Sequence, residues 1–435
     1  MTVRRLTLEQ AATAVVRRLR ERGHEAFWAG GCVRDRLLGL APTDIDIATD
    51  APPDRVVELF TRTRKVGVQF GVVLVRQGPH WLEVATFRAD LDYRDGRHPG
   101  QVVFSNARED ALRRDFTING LFYDPLADQV IDYVDGRRDL QARLVRAIGD
   151  PDARFAEDHL RVLRAVRFSA RFSFTLEPAT AEAARRHAAS LPRISAERIR
   201  EELEKMLTHP SRAAAVRLAA ELGLLVHLWP QAIWSPVQVE RATATLASLP
   251  EPCDFITALA AWLADRPVPE CRRIAAALRL SNRATSDLLW LVEHVDAVEQ
   301  VEILCRPAFK KLLAHPRFES LLAVHRAVCS GRGLSVAANE HARRRRQEIP
   351  PSEVAPPPLV TGDDLIALGL RPGPPFRAIL DTLYDEQLDD RLRTREEALA
   401  RVRAWLASGG PAGGGHEHPV PGASAPPDRP EGDPP

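Results

Sequence analysis

Up to about Phe122 the chain changes character every few residues, and beyond about Asp150 it stops doing so. Short apolar runs punctuated by turn residues, "EAFWAGG", "TDIDIAT", "RKVGVQFGVVLVRQ" and "WLEVATFR", read as strands. Between them "CVRDRLLGL" and "PPDRVVELF" have helical spacing, and Thr49 or Asp50 stands where a cap for the second helix belongs. Past Asp150 come long segments of helical period: "AEDHLRVLRAVRFSARF", "ISAERIREELEKMLTH", "SRAAAVRLAAELGLLVHLW" and "CDFITALAAWLADR". A chain written this way is α+β, with an α/β head followed by an all-α remainder.

At 435 residues the chain exceeds what one hydrophobic core serves, so several domains are expected. The pattern divides it into a head (1–150), a first helical region (151–215) and a longer one (216–348). A proline-rich linker (349–359, within "IPPSEVAPPPLV"), a last helical piece (360–406) and an extension (407–435) follow. The extension is nearly devoid of apolar residues and reads as disordered, with His416 and His418 incidental to it. No stretch approaches the roughly 20 apolar residues that span a bilayer, and the basic start lacks a secretory cleavage site. Five cysteines, odd in number and far apart, match neither a zinc site nor a disulfide framework, so a cytoplasmic location is expected. A net charge of +1 excludes a globally basic nucleic-acid binder, and any RNA site must be a local patch. The tract "ARRRRQE" around Arg343 to Arg346 is one such candidate; a solvated helix end is the other reading.

The stretch "AGGCVRDRLLGLAPTDIDIATD" (29–50) carries the chemistry. Gly30 and Gly31 close an apolar strand and precede a helical run, where bare backbone presents N–H groups to an anion. Arg34, one turn on, adds charge-assisted bonds to the same phosphates; the plainer alternative is a tight turn with Arg34 paired to an acid. In an extended strand Asp44 and Asp46 project to one side while Ile45 and Ile47 point to the other. Two carboxylates so close are unfavourable without a proton or cation between them, and hard oxygen ligands suit Mg²⁺. The alternative puts one Asp in solvent and the other on a turn. A phosphate cradle near a paired-Asp strand is what metal-assisted nucleotidyl transfer requires. Glu83, charged within the otherwise apolar "WLEVATFR", is the candidate third carboxylate, or else an edge residue in water.

"GGCVRD", "TDIDIAT", "RRDFTING" (Arg113 to Gly120) and "EDHLRVLRAVRF" (Glu157 to Phe168) occur in that order. Together they resemble the class II CCA-adding tRNA nucleotidyltransferases and their bacterial poly(A) polymerase relatives. The resemblance runs from about Ala26 to Leu207 and resumes weakly at "VTGDDLIALGLRPGPPFRAIL". It implies a polymerase-β-like nucleotidyltransferase head followed by all-α neck, body and RNA-binding tail. It implies that Gly31, Arg34 and Arg114 contact the triphosphate and that Asp44 and Asp46 bind Mg²⁺. It further implies that Asp158, Arg161, Arg164 and Arg167 face the incoming nucleotide. CTP and ATP are then the substrates and the tRNA 3′ end the partner, with no membrane or DNA expected.

Asp158 and Arg161, three apart, read as neighbours on a helix surface, with Leu160 and Leu163 on another face; a plain surface ion pair is the alternative. A carboxylate only accepts and a guanidinium only donates, so together they match the amino group and ring nitrogen that cytosine and adenine share. Arg164 and Arg167 continue the ridge by threes, towards phosphate or primer, or are solvated. The polar run "ADLDYRDGRHPGQVVFSNARED" reads as a mobile loop over the site or an ordinary surface excursion. The family's CC-adding members have this loop shortened, so its presence argues against a CC-only enzyme.

The expectation is thus template-independent addition of C, C and A to tRNA with pyrophosphate release. The rivals are an A-adding enzyme, a poly(A) polymerase and a catalytically inactive RNA-binding protein on the same fold. Against the polymerase, its relatives carry Gly-Arg-Arg-Phe after the Asp pair, whereas this chain has "TRKVGVQFGVVL".

Overall fold

The computed structural model describes residues 6–66, 71–93, 99–230 and 232–407. Two compact units emerge: residues up to Glu240 together with Ala277–Arg279, and Arg241–Ala276 together with the residues from Leu280 onward. The first holds every strand.

Seven strands form the head sheet: β1 (Ala26–Ala29), β2 (Asp46–Thr49), β3 (Thr63–Lys65), β4 (Val72–Gln77), β5 (His80–Thr86), β8 (Leu121–Asp124) and β9 (Gln129–Asp132). Their order is β3-β4-β5-β2-β1-β8-β9, antiparallel throughout except for β2 beside β5. Phe27, Ala29, Ala48 and Phe122 share one face, with Phe27, Phe87 and Phe122 forming an aromatic triad at 6.0–6.3 Å. Helix α4 (Ala107–Leu112) adds Ala107 and Ala111 to that core. On the other face helix α1 (Leu8–Arg20) buries Ala11, Ala12, Val15, Val16 and Leu19 completely, at helical spacing, after a Thr7–Gln10 capping box.

Two head segments depart from their sequence reading. "RKVGVQFGVVLVRQ" is no single strand: β3 and β4 run antiparallel with Thr63 opposite Val75. "ADLDYRDGRHPGQVVFSNARED" is largely a ribbon, β6 (Arg88–Tyr93) antiparallel to β7 (Pro99–Phe104) as a sheet of its own. Residues 94–98 lie outside the described residues. Helix α3 (Pro53–Leu59) is entered through Pro52, whose fixed φ of −65° preorganises the turn. Neither Thr49 nor Asp50 caps it, because the Thr49 hydroxyl donates to Glu25 O at 2.5 Å and accepts from Ala51 N–H.

Helix α2 (Gly31–Leu37) follows β1, and helix α5 (Gly136–Ala142) follows the sheet. The helical part of this unit then comprises α6 (Pro151–Glu157), α7 (Leu160–Phe172), α8 (Pro178–His187), α9 (Ala196–Leu207) and α10 (Arg212–Glu221). Strand character persists past Asp150 in one place: β10 (Leu144–Val145) and β11 (Thr175–Leu176) form a short parallel bridge. "AEDHLRVLRAVRFSARF" is two helices, since Asp158 is extended (φ −147°, ψ 104°) and its Oδ1 accepts from Leu160 N–H. A short polar side chain competing for its own backbone ends α6 and restarts the chain as α7.

The second unit is helical. The proline-rich stretch contains a short helix, Pro351–Val354, and is pinned rather than free: Glu353 pairs with Arg306 at 2.8 Å, and Gln387 bonds Pro357 O and Leu359 N–H. Val360, Leu365, Ile379, Leu383, Ala398 and Val402 build the core of its last helices. The basic tract ends helix Ala337–Gln347 with Arg344 and Arg346 exposed, as a solvated helix end would have them; within it Arg345 donates to Val301 O and Leu304 O, and Arg346 pairs with Glu319. His416 and His418 lie outside the described residues.

Candidate active site

β1 runs into Gly30, whose φ of +75° turns the chain into α2. A Cβ there would lie 2.7 Å from Arg114 Nη1, so the bare backbone leaves room for that guanidinium. Arg114 is held at the end of α4 by Asp110 (2.9 Å) and Asn119 O (3.3 Å). Burial raises the Asp110 carboxyl, but Arg114 and Arg113 outweigh it and hold the group below its usual range. Arg34, 4 % exposed, pairs with Asp35 at 2.7 Å, donates to Asn119 Oδ1 at 2.5 Å and lies over the Phe172 ring. It is therefore already paired to an acid, while still facing the cleft.

β2 begins only at Asp46, so Asp44 precedes the strand in which both acids were expected; Ile45 and Ile47 are buried, Asp44 and Asp46 are exposed, and the register places Asp46 on the face that carries Ala48. Ile47 lies opposite Val84 in the parallel pairing, which sets Asp46 beside Glu83. Although open to the cleft, Asp46 has protein around most of it; that desolvation first, then the negative Glu83 and Asp44, push its carboxyl up to about 6 against the pull of Arg114. Glu83 is raised too, by desolvation and then Asp44. Crowded carboxylates with too little positive charge form a hard-oxygen donor set whose cost a divalent cation relieves. Cys32, behind them, is no nucleophile: burial and then Asp46 push its thiol up to about 12.

Facing this floor, α7 and α9 supply a wall. Asp158 and Arg161 do not pair with each other as their spacing implies. The break after α6 turns Asp158 towards Arg198 (2.8 Å), while Arg161 takes Glu157 (2.5 Å) and the carbonyl of Arg113 (3.1 Å). Arg164 and Arg167 are not solvated: Arg164 pairs with Asp115 at 2.6 Å and Arg167 with buried Glu202 at 2.6 Å. Burial raises Asp115, yet Arg164, Asn119 and Arg161 bring its carboxyl down to about 2.

Floor and wall enclose one cavity of about 490 Å³. Gly30, Gly31, Arg34, Asp44, Asp46 and Arg114 line it from the head; Asp158, Arg161, Arg164 and Arg167 line it from the wall. Of the sequence candidates only Glu83 is outside that lining, adjoining Asp46 through the sheet. Asp115, Asn119, Arg198 and Glu202 were not singled out by sequence reasoning. The first two sit inside "RRDFTING", a motif already singled out; Arg198 and Glu202, at i and i+4 of α9, carry no local sign of the site.

Among the described residues, one set of three ligand-type side chains has its donor atoms within 4.8 Å of one another, Glu299, His325 and Cys329, in the second unit. The amide nitrogen of Asn339 donates to Leu322 O at 2.7 Å and faces His325 Nδ1 at 3.5 Å, which leaves Nε2 to carry the proton donated to Glu299 at 2.8 Å. The three side chains form a hydrogen-bonded cluster.

Residues 26–146 match the Poly A polymerase head domain, and residues 173–233 match the probable RNA and SrmB-binding site of polymerase A. The CCA-adding enzyme of Levilactobacillus brevis is 33% identical over 402 residues, covering 90% of this chain and 96% of its own. That of Geobacillus kaustophilus is 32% identical over 413 residues, covering 91% and 96%. The crystal structure of the Bacillus stearothermophilus CCA-adding enzyme in complex with CTP superposes with a TM-score of 0.75 at 29% identity, covering 92% of this chain and 98% of that one. With such similarity along nearly the whole length, the chain belongs to the family of class II CCA-adding enzymes and poly(A) polymerases.

Proposed function

We propose that the chain adds C, C and A to the 3′ end of tRNA without a template, consuming CTP and ATP and releasing pyrophosphate at each step. The observation that carries this reading is the single cavity in which an open Asp pair and a bare glycine turn face a wall bearing Asp158 and Arg161. Full-length similarity to CCA-adding enzymes supports it. An odd number of cysteines, five, spread along the chain supports a cytoplasmic setting, and among the described residues no helix is long and apolar enough to cross a membrane.

Enzymes of this family work with divalent metal ions, and the oxygen donors of Asp44 and Asp46 favour Mg²⁺. When bound, that ion screens the triphosphate and favours loss of pyrophosphate. The chain's own groups do the rest. The Gly30–Gly31 backbone, Arg34 and Arg114 orient the triphosphate. The primer 3′ oxygen bonds to the α-phosphorus, the bond to pyrophosphate breaks, and the hydroxyl proton leaves towards the floor carboxylates. Glu83 acts through Asp46, by adding to the negative field it feels.

Base choice belongs to the wall. Arg198 and Leu160 N–H hold Asp158, and Glu157 with the Arg113 carbonyl holds Arg161, so each presents fixed acceptor or donor positions to the cavity. Cytosine and adenine satisfy both; uracil and guanine place a carbonyl and an N–H where the reverse is needed. At about 1–3 kcal/mol per good bidentate contact, discrimination reaches about 5- to 150-fold.

The test offers tRNAs ending before the CCA, after one C and after two Cs, each with single labelled triphosphates, and sizes the products. C, C and A added in order, then arrest, is the expected result. Addition of A alone to the last substrate would make this an A-adding enzyme, long A tracts a poly(A) polymerase, and no incorporation an RNA-binding protein.

A further inference from the structure

Arg164, Arg167 and Arg171 recur along α7 at spacings of three and four, which keeps them on one ridge. α9 packs against α7, and its buried Glu202 takes Arg167 at 2.6 Å and lies 3.5 Å from Lys205. Here a second cavity, of about 390 Å³, is lined by Arg167, Arg171, Lys205, Thr208 and His209. Arg167 and Arg171 also line the catalytic cleft, so the two spaces adjoin across those side chains.

The charge of this cavity is one-sided. Three permanent cations line it and no acid does. Glu202 behind it is already engaged by Arg167, and Asp35 stands 3.8 Å from Arg171. Arg171 and Lys205 are exposed; their acidic partners stand at 3.8 and 3.5 Å, and Arg171 also lies over the Phe172 ring. The carbonyls at the C-terminus of α9 disfavour an anion, but their partial charge is smaller than that of the side chains.

We infer that this cavity holds backbone phosphate of the RNA primer, one step beyond the nucleotide whose 3′ hydroxyl stands over Asp44 and Asp46. The inference rests on the proposed transferase reading and extends it to the acceptor strand. The incoming triphosphate is accounted for at the other end of the cleft, where the glycine turn, Arg34 and Arg114 meet the carboxylates. The anion that must be present with it is the primer, and a strand ending at the carboxylates carries further phosphates away from them in sequence. The basic ridge continues from the cleft into a space with cations and no carboxylate, which fits a phosphodiester and offers nothing to a metal or a base edge.

The test is a titration of Lys205→Glu, Arg171→Glu and the double variant with a tRNA lacking its CCA end, between about 50 and 200 mM salt. The double variant is expected to bind RNA about tenfold or more weakly at low salt, with the log–log salt slope reduced by about 1 to 1.5. Lys205→Arg retains both wild-type values, which a change in helix stability alone would not explain. In Lys205→Glu, which leaves the lining of the catalytic cleft untouched, the KM for CTP at saturating tRNA stays at the wild-type value. Unchanged affinity and slope in the double variant overturn the proposal; so does a raised KM for CTP with RNA affinity intact, which assigns the cavity to the nucleotide. Wild-type incorporation of CMP is followed in parallel. Its absence removes the transferase reading, whereas the RNA titration reports on the cavity by itself.

Discussion

The two sides of the cleft treat negative charge in opposite ways. On the wall and beneath it each carboxylate meets a guanidinium: Asp110 on Arg113 and Arg114, Asp115 on Arg164, Asp158 on Arg198, Glu202 on Arg167. On the floor Asp44, Asp46 and Glu83 face one another, and Arg114, already on Asp110, only partly offsets them. Asp115 accordingly sits at about 2 despite burial, and Asp46 at about 6. The cleft has enough arginines to neutralise its floor, but they are committed elsewhere. Charge that the fold leaves unbalanced marks where a ligand of opposite sign belongs, and charge that it balances internally marks scaffold.

The contrast breaks most sharply at Asp46. Asp46→Asn is expected to lower CMP incorporation by at least about 10³-fold, roughly 4 kcal/mol of barrier, without lowering the melting temperature, because it removes repulsion. Activity near wild type would move the metal site elsewhere. Asp115→Ala should do the reverse. It leaves Arg164 facing a void beside a buried pair, costing about 3–5 kcal/mol of stability in denaturant unfolding, and a loss below about 1 kcal/mol would show that the wall is not held by its pairs. Asp158→Ala is milder: UTP and GTP should gain on CTP by about 5- to 150-fold in kcat/KM, or about 1–3 kcal/mol, and undiminished discrimination would assign base choice to other groups.

The same contrast explains what could be read from the sequence. Asp44 and Asp46 were legible because they alternate with two apolar residues: Ile45 and Ile47 are buried and the acids exposed, although only Asp46 belongs to the strand. The glycine turn was legible because nothing else follows a strand at φ +75° so readily. The wall was legible in membership and not in pairing. Asp158 and Arg161 fit helical spacing, but an aspartate that bonds the backbone two residues on ends one helix and starts another, which periodicity does not register. Their real partners arrive from afar: Arg198 is 40 residues from Asp158 and Asp115 is 49 from Arg164. Glu202 flanks the apolar face of α9 that packs on α7, so its burial depends on a neighbour that arrives only in the fold.

Acid separates the two sides by sign. Asp115 is depressed to about 2 from the usual 3.8, so its contribution to stability is full above pH 4 and lost as pH falls towards 2; near-complete burial lets that amount to roughly 2 kcal/mol. Asp46 is raised to about 6, so the folded state takes up its proton first, and stability rises as pH falls from above 6 to below 4. The openness of Asp46 keeps that gain below about 1 kcal/mol. Melting temperature against pH in metal-free buffer should therefore climb slightly towards pH 5 before the acid loss. Asp46→Asn should flatten the climb and leave the loss. Mg²⁺ competes with the same proton, so it should raise the melting temperature at pH 7 and progressively less towards pH 5. A Mg²⁺ effect of equal size at both values would mean that the ion binds somewhere other than the crowded floor.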